Sequence, residues 1–155
     1  TIGEGFTSEI STFQSSADTG SEIYLKAENL NGKFMYMRTQ AIYYIYESTE
    51  ERWQSFQTAM NNAKDAASSL VNTASGTSLA SSANEISNYV DNYISTADSF
   101  HETKIAEHEA EAEMEEEADH MIGTLKNLVL ITEEQNFYMN LQKEKKQLLF
   151  LQQIP

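Results

Sequence analysis

Apolar residues recur along this chain at alternating steps of three and four, the spacing that keeps side chains on one face of a helix. The first stripe runs through Ile10, Phe13, Ala17, Gly20, Tyr24, Ala27, Asn31, Phe34, Arg38, Ala41 and Ile45. A second row, Ile23, Leu30, Met37 and Tyr44, widens it. A face that wide packs against more than one neighbour, which favours a bundle over a two-stranded coil. The pattern predicts a first helix over about residues 7–47. Ser48-Thr49-Glu50-Glu51 then reads as a capping box, with Ser48 as N-cap and Glu51 reaching back to it. It opens a second helix over 49–75, whose face is Trp53, Phe56, Met60, Ala63, Ala67, Leu70 and Ala74. Gly76 stands where a helix end calls for a left-handed residue.

A third stripe starts at Leu79, with Ser78, or Ser82 and Glu85, available to cap it. It continues through Ala83, Ile86, Val90, Tyr93, Ala97 and Phe100, resumes at Met114, Ala118, Met121, Leu125 and Leu128, and reaches Leu141 and Leu148. Gly123-Thr124 is the single weak point before Pro155. One Gly inside a helix costs only about 1 kcal/mol against Ala, and residues 113–117 contain no turn formers. The expectation is one unbroken helix over about 79–147, on the order of 100 Å long at 1.5 Å per residue. Its far half would outrun the other two helices and need partners from a second subunit or from further sequence. The alternative is a turn near 113–124. The fold class is therefore all-α: a long antiparallel helical bundle of three long helices, or four if the third is broken, forming one domain over 1–155. Both ends read as cut, as in a domain excised from a longer chain.

Composition narrows the function classes. Twenty-four acids against 10 bases give a formal charge of −14. Nucleic acid and anionic membrane surfaces, which require a basic face, are excluded as partners. With no Cys there is no disulfide scaffold, thiolate metal site or thiol catalysis. No apolar run is long enough to span a bilayer, so any membrane attachment would come from spans outside this sequence. Eight Tyr and seven Phe argue against disorder. No Gly-rich nucleophile elbow, phosphate loop or zinc signature is present, and the chain reads as a non-enzyme without a cofactor.

Three features carry candidate chemistry. Nine acids lie between Glu102 and Asp119, with His101, His108 and His120 around them. Glu117 and His120 have the Glu-x-x-His spacing of a carboxylate metal bundle, but such a site needs that motif twice. The run reads as a solvated acidic face. Its pairs Glu107–Glu111 and Glu109–Glu113 are like charges at i, i+4, each destabilising by a few tenths of a kcal/mol. Arg38 is one of only two Arg and falls on the apolar stripe. A guanidinium there suits a carboxylate ligand, with Tyr36, Tyr43 and Arg52 close in sequence to complete a polar cleft. It equally suits a Glu across the bundle or a dimer seam. Asn31 interrupts the same stripe, the mark of a residue that fixes register or oligomeric state.

The stretch Phe34-Met-Tyr-Met-Arg-Thr-Gln-Ala-Ile-Tyr-Tyr-Ile-Tyr-Glu-Ser-Thr-Glu-Glu-Arg-Trp-Gln-Ser-Phe carries an Arg-bearing aromatic helix into a short cap and an acidic, aromatic helix start. Tyr89-Val-Asp-Asn-Tyr-Ile leads along one long helix to Ala110-Glu-Ala-Glu-Met-Glu-Glu-Glu-Ala. Over about residues 30–125 the chain resembles the periplasmic sensory domains of bacterial methyl-accepting chemotaxis proteins and sensor kinases, especially the helical bimodular kind. The resemblance implies stacked helical bundles between two membrane spans, a homodimer, small organic acids as ligands, and an Arg on the first long helix that clamps the ligand, here Arg38. The chain departs from that pattern in lacking the flanking spans, in being shorter, and in having few Arg. The expected function is an extracytoplasmic ligand sensor that signals by displacing a long helix. The rival is a dimeric helical spacer without a ligand.

Overall fold

A computed structural model describes residues 1–154. It contains four helices: α1 (Ile2–Ser16), α2 (Glu22–Glu47), α3 (Glu50–Ala74) and α4 (Ala80–Leu151). The fold is all-α, a helical bundle with no strand among the described residues. The fourth helix arises because the first stripe is divided, while the third stripe is continuous.

The division lies at Ala17–Ser21, where periodicity alone predicts helix. Gly20 takes φ +82°, a left-handed conformation that suits glycine. The Ser21 amide donates to the Asp18 carbonyl at 3.0 Å, closing a turn. Ser21 then caps α2 by accepting from the Tyr24 amide at 3.2 Å. Asp-Thr-Gly-Ser is turn chemistry, and it overrides two positions of the stripe. At the other end α1 begins before residue 7. Thr1 and Glu4 form a capping box, so Gly3 and Gly5 sit in an anchored first turn and do not break the helix.

The next cap is shifted by one residue from the sequence expectation. Ser48 is the C-cap of α2, at φ 44°. Thr49 is the N-cap of α3, accepting from the Arg52 amide at 3.3 Å. Two adjacent hydroxyl residues both fit a cap, and α2 continues far enough to take Ser48 as its last turn. After Gly76, at φ +78°, the Thr77 hydroxyl accepts from the Leu79 amide at 3.2 Å, just ahead of α4.

Two compact units divide the chain. The first comprises Thr1–Ile105 and the second begins at Ala106. Within the first, ring contacts set the directions of the helices. Phe6 of α1 stacks on Phe34 of α2 with centroids 3.7 Å apart, and Gly3 faces Arg38, so α1 and α2 run antiparallel. Phe34 meets Tyr93 edge-on at 5.4 Å and Tyr44 meets Phe100 at 6.1 Å, so α2 and α4 run parallel. Trp53 stacks on His101 at 3.8 Å and Lys64 approaches Asp91 at 3.9 Å, so α3 runs against α4.

The core of this unit is built from Phe6, Ile10 and Phe13 of α1, Leu30, Phe34 and Met37 of α2, Phe56, Met60 and Leu70 of α3, and Ile86 and Val90 of α4. On α2 the buried row is Ala27, Leu30, Phe34, Met37, Ala41 and Tyr44. The second row of the sequence reading therefore belongs to the core. Asn31 and Arg38 lie on its flank, half-buried, and Ile45 is 59 % exposed. No buried side-chain nitrogen or oxygen lacks a partner among the described residues.

In the second unit α4 continues through Gly123 without a break. Every described side chain from Ala106 onward is exposed, including Ile122, Leu125, Val129 and Phe137. None of the described helices is long and apolar enough to cross a membrane.

Candidate functional site

A cleft of about 390 Å³ opens within the first unit. All four helices contribute to it: Ile2 and Gly3 (with Thr1 before them) from α1, Arg38, Ala41 and Ile45 from α2, Phe56 from α3, and Tyr93, Thr96, Ala97 and Phe100 from α4. Arg38 arrives there because it stands one position beyond the buried Met37, on the flank of α2 that turns toward α1. Its guanidinium lies against Gly3, where an added Cβ would stand 3.3 Å from Cζ and Nε. The missing side chain at residue 3 is thus what gives the guanidinium room.

No carboxylate lies within ion-pair distance of Arg38 among the described residues. Its recorded polar neighbour is the Met35 sulfur, 4.0 Å from Nη1, a weak acceptor. Such a charge is tolerable because Arg38 is half-buried and keeps water on its open side; full burial without a partner would be costly. Beside it, burial pushes the Tyr93 hydroxyl above its ordinary pKa, an effect the Arg38 charge partly offsets. Tyr93 is therefore a neutral hydroxyl at physiological pH. One fixed cation and one phenol beside an apolar wall can hold an anionic oxygen and cover an apolar body.

The other residues named from sequence lie elsewhere. Tyr36 and Tyr43 are 56 % and 46 % exposed and do not line the cleft. Arg52 donates to both carboxylate oxygens of Glu47, at 2.5 and 3.1 Å, and its guanidinium stands 5.2 Å from the Tyr43 ring centroid. That bidentate pair holds the Glu47 carboxyl below its usual range, and it clamps the α2–α3 turn. Glu117 and His120 are exposed, and no three potential metal ligands come together among the described residues. His101, grouped with the acidic run in the sequence, instead packs on Trp53 and meets the Tyr44 hydroxyl at 2.7 Å.

Sequence reasoning did not single out Gly3, Tyr93 and Phe100, which line the cleft beside Arg38. Tyr93 and Phe100 read as core positions of a helix stripe, which they also are. Gly3 lay ahead of the expected helix start, and the Thr1–Glu4 box was the signal that could have extended it.

Comparison with curated proteins and with solved structures finds no match. Comparison with protein families matches the helical bimodular sensor domain over residues 7–137. That family comprises sensor domains, extracellular ones of membrane receptors in general, and is not an enzyme family. The matched span covers α2, α3 and most of α1 and α4, and on that ground the chain belongs to the helical bimodular sensor domain family.

Proposed function

We propose that this protein is the extracytoplasmic ligand-sensing domain of a bacterial chemoreceptor, and that it binds a small organic acid through Arg38. The observation that carries the reading is a half-buried guanidinium lining a cleft of about 390 Å³ with no carboxylate within ion-pair distance among the described residues. A ligand carboxylate supplies the missing partner in a bidentate geometry. All four helices line the cleft, so a ligand that draws Arg38 and Tyr93 together changes how α2 and α4 pack. Displacement of a long helix is an established way to pass such a change along a receptor. Of the four ligand-binding candidates from sequence, Arg38 alone takes this role here.

The test is a thermal-shift screen of organic acids, amino acids, amines and divalent ions, followed by Arg38→Gln. Saturation at 100 times Kd adds about 2.7 kcal/mol of stability. An organic acid should raise Tm, and Arg38→Gln should remove that rise while leaving the helical circular dichroism unchanged. A screen without any acid hit, or a hit that persists in Arg38→Gln, refutes the proposal.

A homodimer is the second part of the reading. The exposed apolar residues of α4 beyond Ala106, such as Ile122, Leu125 and Val129, favour helix association there, as in a spacer between copies.

A further inference from the structure

We infer that the cleft discriminates by charge number and apolar bulk, taking acids with a single carboxylate and an uncharged hydrocarbon or aromatic body in preference to dicarboxylates and amines. The inference rests on the reading of Arg38 as the ligand clamp and specifies what that clamp accepts.

Charge comes first. Arg38 is the one cationic side chain among the lining residues, and none of them carries a carboxylate. The Thr1 ammonium is already engaged by Glu4 at 2.9 Å, so a second ligand carboxylate would find no second cationic side chain among the lining residues, and a ligand ammonium would find no lining carboxylate. A charged group transferred there loses water without a compensating partner, and binding weakens accordingly. Glu4 is the nearby carboxylate on which Arg38 exerts an attraction. It is outside the lining and engaged in the capping box with Thr1.

Bulk comes second. Ile2, Ala41, Ile45, Phe56, Ala97 and Phe100 form the apolar majority of the lining residues. A ligand that leaves this wall wet gains little, whereas each methylene buried there strengthens binding about threefold to fourfold, from about 0.8 kcal/mol per CH₂. The Tyr93 and Thr96 hydroxyls are the neutral polar groups on the α4 side. Thr96 already donates to the Asn92 carbonyl at 2.8 Å, which leaves the Tyr93 phenol as the free donor next to Arg38.

The experiment is titration calorimetry on the full chain with three probe sets: the series propionate to hexanoate with 3-phenylpropionate, the dicarboxylates succinate and malate, and phenethylamine. The expected result is affinity that rises along the monocarboxylate series, with hexanoate and 3-phenylpropionate at least about tenfold tighter than either dicarboxylate, and no binding of phenethylamine. That tenfold margin corresponds to about 1.4 kcal/mol. Gly3→Ala, which crowds the guanidinium at 3.3 Å, should weaken every bound acid by a similar factor and so preserve the ranking. A flat chain-length series, or dicarboxylates binding as tightly as hexanoate while Arg38→Gln still abolishes binding, overturns the inference and leaves the organic-acid reading standing. Binding that survives Arg38→Gln, or no acid binding at all, overturns both.

Discussion

Tyr44 is 2 % exposed, and its hydroxyl meets Nδ1 of His101 at 2.7 Å, while the imidazole lies flat on Trp53 with an interplanar angle of 7°. Three helices are joined at this point by one hydrogen bond and one stack. Burial pushes the Tyr44 pKa above its ordinary value near 10, so the hydroxyl keeps its proton and donates to Nδ1 when the imidazole carries its own proton on Nε2. His101→Ala strands a buried hydroxyl and should cost about 1–3 kcal/mol in urea unfolding, against about 0.5–1.5 for Tyr44→Phe, which removes the stranded group itself. The reverse order would show that neither the stranded hydroxyl nor the loss of the Trp53 stack governs the cost. The sign of the pH effect follows from the raised pKa. The folded state holds the proton more tightly, so the contribution is complete below about pH 10 and lost as pH rises beyond it. Stability should therefore fall in alkali, and the fall should be smaller in Tyr44→Phe. Arg38 was visible in the sequence because a charge in an apolar stripe is anomalous. Tyr93 and Phe100 were not visible, because an aromatic at a helix-face position looks the same whether it fills a core or lines a cleft.

At the level of single elements, the faces of α3 and of the first part of α4 were read well, that of α2 in part, and the helix ends less so. The faces follow from a repeating pattern that many residues vote on together. The ends depend on one or two residues competing for a role, as Ser48 and Thr49 do between α2 and α3. The turn at Ala17–Ser21 shows the same competition from the other side, since Gly20 and Ser21 carried the turn while Ala17 and Gly20 fitted the stripe. Continuity of α4 through Gly123 agrees with the small cost of one glycine in a long helix. Inside that helix, Glu109, Glu113 and Glu117 repeat at i, i+4, exposed to solvent. Their repulsion is screened by salt and removed by protonation. Helical circular dichroism of the full chain should rise modestly between 10 mM and 500 mM salt, these being about the ionic strengths across which the Debye length falls from 30 Å to a few ångströms. A peptide spanning this segment should respond more steeply, and a salt-independent signal in both would contradict the charge argument.

For the molecule as a whole, every buried side chain among the described residues falls between Gly3 and Ala97. The first unit, Thr1–Ile105, thus contains a complete hydrophobic core. A chain ending at Ile105 should unfold cooperatively, with a midpoint within a few degrees of the full chain, and should retain the Arg38 cleft. Non-cooperative melting of that fragment would mean that residues beyond Ala106 supply part of the stability. Phe34→Ala offers the complementary control, because Phe34 is fully buried between Phe6 and Tyr93. Its truncation should cost about 3–5 kcal/mol in either length of chain.

The sequence by itself determined the all-α class and the absence of thiol chemistry, read most of the buried helix faces in the first unit, and favoured an unbroken last helix while leaving a turn near 113–124 open. These are set by local periodicity and by residue types that are present or missing, and neither depends on what lies far away along the chain. Only the tertiary structure decided that Arg38 shares a cleft with Gly3, Tyr93 and Phe100, and that His101 leaves the acidic run to pack on Trp53. Tyr36 and Tyr43 are sequence neighbours of Arg38, yet they stay outside the cleft, because consecutive residues on a helix point about 100° apart. Residues brought together by the antiparallel return of α1 and the parallel return of α4 are separated by dozens of positions. Their meeting is fixed by how whole helix faces interlock, a property of the packed unit and not of any one segment.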